Sequence, residues 1–279
     1  MSAASRSRWR LTGRAWVGVP LVGLFALLAV FGPWAAPYSP RGMDLAHELA
    51  RPSVRHWLGT GDNGTDVLSM LLAGARLAGI VALATVTVSF VGGTVLGAVA
   101  GYAGRTVDLV ITRVTDAVQA MPALVINVAL LALLAHPGLG HLIFALSATG
   151  WVAYARVARA EVLRLRDREF VTAARALGAS PGRVLFRHVL PNAFGPLVVQ
   201  ATFGLGGAVL AEASLSFLGL GPGVAASWGA LLDQGTAHLL RAPRLAMVAG
   251  AAIAMAVLGF NLTGDWLRDV FDPRERDAP

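Results

Sequence analysis

Six runs of predominantly apolar residues constrain this chain more than anything else in it, because a bilayer-spanning helix needs about 20 such residues to cover a hydrocarbon layer of about 30 Å. The runs are Ala15 to Ala36, Leu77 to Tyr102, Val107 to Ala135, Leu139 to Tyr154, Asn192 to Leu218 and Arg244 to Leu267. The fourth is short, and its helix is expected to continue into the arginine-rich residues that follow. Composition agrees: apolar residues make up 56% and charged residues 14%, about half the charge usual for a soluble domain. The predicted fold is an all-α integral membrane protein with six transmembrane helices.

The first run follows Arg6, Arg8, Arg10 and Arg14, as in a signal peptide. Its apolar core is too long for one, and Pro37 after Ala35-Ala36 makes a poor cleavage site, so it reads as an uncleaved anchor helix. Residues 37–76 are mixed and polar, with Pro37, Pro40, Pro52 and the turn-rich Gly59-Thr-Gly-Asp-Asn-Gly64. They predict a folded loop, with Asp66 to Arg76 a short amphipathic helix leading into the membrane. The organisation is then 1–76 for N-terminus, anchor and outer loop, 77–267 for a five-helix core, and 268–279 for a tail.

Arginine placement gives orientation, since cytoplasmic loops carry the excess of basic residues. With the N-terminus inside, 16 arginines fall on the inner side and 6 on the outer, with Arg113 inside a span. Both termini are therefore expected to be cytoplasmic.

Two absences narrow the chemistry. The chain has no cysteine, which removes disulfides, thiolate metal sites and thiol nucleophiles. All 23 of its cationic side chains are arginine. A phosphate-binding P-loop needs a lysine on the terminal phosphates, which this chain cannot supply, and a Schiff-base lysine is excluded by the same observation. The formal charge of +7 does not point to nucleic acid, because the arginines lie between apolar runs and do not form a basic face.

The most informative stretch is the large inner loop 156–191. Its core reads Glu169-Phe-Val-Thr-Ala-Ala-Arg-Ala-Leu-Gly178, and then Ala-Ser-Pro-Gly-Arg-Val-Leu-Phe-Arg-His-Val-Leu-Pro-Asn192. Glu169 to Leu177 is rich in helix formers, and Gly178 suits the left-handed position that ends a helix. Ser180 can cap a second helix with Pro181 in its first turn. Pro191 is expected to stop that helix and Asn192 to cap the next span. The prediction is a helix-turn-helix with Ala173, Ala174, Ala176 and Gly178 on its surface, where small residues permit close approach by a partner.

This stretch resembles the coupling motif of ABC importer permeases, E-A-A-x3-G-x9-I-x-L-P. Thr172, Ala173, Ala174, Gly178, Leu190 and Pro191 fall at the motif spacing, while Thr172 replaces its glutamate and His188 its apolar residue. Four further segments resemble the second permease subunit of dipeptide, oligopeptide and nickel importers. They are His56 to Asp66, Glu212 to Gly221, Ser227-Trp-Gly-Ala230 and Asn261 to Pro273. The resemblance implies a type I importer permease fold and a non-catalytic subunit. It also implies a homologous second permease, two cytosolic ATPases that bind ATP and magnesium, and an extracytoplasmic binding protein. Thr172, Ala173, Ala174, Arg175, Gly178 and Ala179 would then contact the ATPase.

Other features carry competing readings. Gly178-Ala-Ser-Pro-Gly182 matches the nucleophile-elbow pattern, but that elbow follows a strand and needs a histidine partner. An intramembrane serine protease would also need its serine inside the bilayer, and Ser180 lies in the most charged loop. Polar residues inside spans are candidate pathway groups: Asp116, Gln119, Asn127, Gln200 and Glu212. Against this stands a helix–helix hydrogen bond or, for Asp116, the favoured reading of an ion pair to Arg113; Asn127, Gln200 and Glu212 are the candidates kept. Glu212 lies about 30 Å along the helix from Asn192 at 1.5 Å per residue, near the outer mouth. Gly93, Gly97 and Gly101 form a ladder for close helix packing. The six histidines, among them His47, His56, His136, His141, His188 and His238, show no metal-ligand spacing. A secondary transporter would expect charged relays or interrupted helices near the bilayer midplane; the spans offer few such groups, and Pro122 is the only clear mid-span break.

Overall fold

The computed structural model describes residues 13–134, 137–223 and 226–271. Arg6, Arg8, Arg10, His136, Arg274 and Arg276 lie outside the described residues.

The anchor run forms α1 (Gly13–Ala35), which lies against the last helix and the first turns of the next. Glycine lets it approach: a Cβ on Gly18 would fall 2.8 Å from Leu262 Cβ, and one on Gly32 would fall 2.9 Å from the Leu72 carbonyl oxygen.

Asp66 starts the longest helix by accepting the Ser69 N–H at 2.8 Å, the capping role that short acidic side chains favour. From there α2 (Val67–Tyr102) runs for 36 residues. The separate helix expected over 66–76 is instead its opening turns, since no breaker separates Arg76 from Leu77. At 1.5 Å per residue α2 is about 54 Å long and extends beyond a hydrocarbon layer.

The expected single span Val107 to Ala135 is two helices. Helix α3 (Arg105–Gln119) and α4 (Ala123–Ala132) meet at a bend of 80°. Pro122 has no N–H to continue the ladder and disfavours the helical conformation at Met121. The charged face of α3 also gives it reason to leave the direction of the apolar α4.

Helix α5 (Leu139–Leu165) continues through Arg156, Arg159 and Arg164, as the sequence predicts. It lies along α2, and the glycine ladder packs within the chain. A Cβ on Gly93 would collide with the Trp151 carbonyl, one on Gly97 with the Ala155 carbonyl, and one on Gly101 would sit 3.0 Å from the Arg159 carbonyl.

Helix α6 (Glu169–Ala176) leads through Gly178 into α7 (Pro181–Phe217), a rod of 37 residues. Pro191 does not stop it. The rod widens to a π-type turn over Val184–Val189 and tightens over Leu190–Ala193, a local rewinding that absorbs the missing N–H. Asn192 does not cap the apolar part; its amide donates back to the His188 carbonyl at 2.6 Å. Ser227 caps α8 (Trp228–Ala237), accepting the Ala230 N–H at 3.0 Å, and α9 (Pro243–Phe271) closes the described chain.

Four helices, α1, α2, α7 and α9, are long and apolar enough to cross a membrane, and α3 with α4 makes a fifth if the bent pair is one span. The expectation of six is met only to that extent. Helix α5 has 27 residues, enough length, but its second half carries Arg156, Arg159, Glu161 and Arg164. Among the described residues there is no strand, only an isolated bridge between Thr60 and Asp66.

Candidate functional site

Residues 169–191 fold as a helix, a turn and a second helix, as predicted, except that the second helix runs on past Pro191. Gly178 takes φ +81°, the left-handed conformation that ends α6 at no steric cost. Ser180 occupies the cap position before Pro181 without a side-chain hydrogen bond to the turn. Val171 and Ala174 are buried, packing with Val162 and Val184. Ala174 is therefore a core residue of this chain and not part of its surface, because it shares the inward face of α6 with Val171 at i, i+3 spacing.

Thr172, Ala173, Arg175 and Gly178 are exposed and Ala179 is half-buried. Beside them lie residues that the motif did not single out. Leu177 is 88% exposed, with Phe170 and Phe186 also exposed. Phe170, Ala173 and Leu177 recur at i, i+3, i+7 and so form one apolar stripe on the outer face of α6. That spacing was readable in the sequence, but whether such a stripe points in or out depends on tertiary packing. Exposed apolar surface on a helix too short to cross a membrane points to an interaction site.

The loop is held to the ends of the long helices. The Arg175 guanidinium lies over the Tyr102 ring at 5.5 Å, and Arg166 donates to the Gly101 carbonyl at 3.2 Å. Arg156 pairs with Asp116 at 2.8 Å, so the expected Asp116–Arg113 pair is replaced by one between α5 and α3. Arg159 binds Asp108 through two nitrogens.

A second feature lies deeper, between α2, α4, α5 and α7. A cavity of about 230 Å³ brings together Asn127 and Gln200, two of the predicted pathway residues, with Thr85, Ser89, Thr149 and Tyr154. Thr149 donates to Asn127 Oδ1 at 3.2 Å. The hydroxyls of Thr85, Ser89 and Tyr154 are buried and have no hydrogen-bond partner. Leaving each so costs about 1–3 kcal/mol. A larger cleft of about 640 Å³ runs between α4, α7, α8 and α9, but its walls are nearly all apolar.

Glu212 does not join the cavity walls. It is fully buried on α7 and accepts from the Ser216 hydroxyl at 2.7 Å, bracing the helix end. The outer loop is tied down in the same region of the fold. Arg244 Nη2 donates to the carbonyls of Leu49, Ala50 and Thr60 at 3.0, 2.8 and 3.0 Å. His56 meets Asp66 at 2.9 Å and His47 meets Asp44 at 2.8 Å. Among the described residues no three His, Asp or Glu side chains gather as metal ligands would.

Comparison with known proteins follows the same lines. Residues 93–277 match the family described as binding-protein-dependent transport system inner membrane component, and residues 7–52 match the N-terminal TM domain of oligopeptide transport permease C. The dipeptide transport system permease protein DppC of Alkalihalophilus pseudofirmus is 38% identical over 92% of this chain and 85% of its own length. The oligopeptide transport system permease protein OppC of Bacillus subtilis is 35% identical over 96% of this chain and 88% of its own. The di/tripeptide permease DppC of Pseudomonas aeruginosa is 38% identical over 94% and 88%. Among solved structures, an inward-facing MetNI methionine ABC transporter chain superposes with TM-score 0.60 at 20% identity, over 73% of this chain and 97% of its own. That likeness concerns the fold.

Proposed function

The chain belongs to the family of inner membrane components of binding-protein-dependent transport systems, and on that premise we propose that it is the C-type permease subunit of an importer for di- or oligopeptides. It is a non-catalytic membrane subunit. Its relatives over nearly the whole chain carry the reading of substrate class, since they are named for dipeptide, di/tripeptide and oligopeptide transport.

In this reading a homologous permease completes the pathway, an extracytoplasmic binding protein delivers the peptide, and two ATPase subunits bind ATP and magnesium. The exposed stripe of Phe170, Ala173 and Leu177, with Thr172, Arg175, Gly178 and Ala179 around it, docks in an ATPase cleft. Support comes from the exposed apolar residues Phe170 and Leu177 on a short helix that is not among the candidate spans. Closure of the ATPases moves the loop, and nucleotide favours one of two packings of the spans. Both termini lie in the cytoplasm, as the arginine distribution supports.

The test is purification of the tagged chain from its native membrane, with mass spectrometry of what accompanies it. A homologous permease and one or two kinds of ATPase chain are expected. Recovery of the chain alone, active in vesicles without ATP, contradicts the proposal.

A further inference from the structure

Resting on the permease reading above, we propose that the cavity between α2, α4, α5 and α7 binds an uncharged amide, gripping one peptide unit or carboxamide of the passing solute at a time. Its walls set six hydrogen-bonding side chains, Thr85, Ser89, Asn127, Thr149, Tyr154 and Gln200, among apolar ones and carry no carboxylate, arginine or histidine. The free hydroxyls of Thr85, Ser89 and Tyr154 each offer a donor and an acceptor, and the carboxamides of Asn127 and Gln200 offer both as well. An ion taken into such a place would need a counter-charge that the walls do not supply. An amide brings one donor and one acceptor in a fixed plane and needs none.

Glycine makes room for two of these hydroxyls. A Cβ on Gly150 would fall 2.8 Å from Ser89 Oγ, and one on Gly204 would collide with the Tyr154 hydroxyl. Gly207, exposed beside the cavity, has open space where a side chain would stand. At about 230 Å³ the cavity is smaller than the roughly 300–1,000 Å³ of sites that enclose a whole small molecule. It therefore fits a single unit of a chain. Binding the amide, which every peptide shares, does not depend on side-chain sequence.

The chain's lack of cysteine makes the test direct. Ser89→Cys places one thiol on the chain, inside the cavity, in the purified complex held in lipid nanodiscs. Methyl methanethiosulfonate modifies it, and N-acetylglycinamide, acetate and tetramethylammonium are tried as protectants. With the amide at about ten times its Kd, mass action leaves about one site in ten open, so modification slows about tenfold. The two ions leave the rate unchanged, and Val54→Cys in the outer loop is unaffected by all three. Thr85→Cys serves the same purpose should Ser89→Cys not assemble. Rapid modification without protection by the amide, as for a cavity that holds only water, overturns the proposal; so does equal protection by the ions. ATP-driven peptide uptake by the unmodified complex, measured in parallel, decides the permease reading separately.

Discussion

Asp108 on α3 and Arg159 on α5 form a two-point pair across 51 residues of sequence, with Arg159 Nη2 donating to Asp108 Oδ2 at 2.7 Å and Nε to Oδ1. The pair joins the helix that runs into α6 to the bent arm that leads to α4. Helix α4 in turn carries Asn127 into the cavity between α2, α4, α5 and α7. A movement of the loop thus has a polar connection to the cavity walls in addition to the packing of α2 on α5.

Asp108→Asn keeps the shape of the side chain and removes its charge. Both partners are partly exposed, so the pair is worth about 1 kcal/mol to folding, and the chain should insert and assemble normally. The expected effect is on coupling: ATP hydrolysis by the complex persists while peptide uptake falls several-fold. The exchange Asp108→Arg with Arg159→Asp should restore part of the uptake. Unchanged uptake in Asp108→Asn would remove the pair from the coupling route.

Gly97 faces the Ala155 carbonyl with no room for a side chain. Gly97→Val should cost about 2 kcal/mol or more through overpacking and separate α2 from α5. The measurement is the amount of detergent-stable chain and its thermal midpoint. Gly92→Val, one helical position from the seam and in open space, should leave both near the parent value.

Arg244 is the donor to three carbonyls of the outer loop. Arg244→Ala removes this donor from the Leu49 and Thr60 carbonyls, while Ala50 keeps the Thr60 N–H, at a cost of about 1–3 kcal/mol, which loosens residues 37–66 without dissolving the spans. Limited proteolysis should then cut within that loop at least several times faster than in the parent. An unchanged cleavage rate would show that Arg244 is not what holds the loop.

The sequence made the helices legible because lipid-crossing runs must be long and apolar, and it made the turn at Gly178 legible because few residues adopt positive φ. Relations between distant residues were another matter. Asp116 was read with Arg113 because helical spacing is all a sequence offers, whereas its partner Arg156 stands 40 residues away. Pro191 has the sequence signature of a stop, but a π-type turn carries the helix past it. Ala174 and Leu177 were indistinguishable as helix formers, and only packing sets one in the core and the other in solvent. Asn127 and Gln200 were visible as polar groups in apolar runs, yet the hydroxyls that complete their cavity look like ordinary membrane-helix residues.

Orientation is tested with single cysteines. Val54 is 94% exposed and suits the outer probe, whereas Thr65 in the same loop is 8% exposed and nearly unreachable. In intact cells Val54→Cys should react with an impermeant maleimide and Ser180→Cys only after permeabilisation. The reverse pattern would invert the topology.

The most direct test of coupling through the inner loop is a cross-link from Leu177→Cys to the ATPase. In the purified complex a short thiol-to-amine reagent at that position should yield a product of the permease joined to an ATPase chain, with a rate that changes on adding ATP. Val54→Cys should give none. A Leu177→Cys complex that contains the ATPase but forms no such product would place the coupling contact elsewhere and contradict the account.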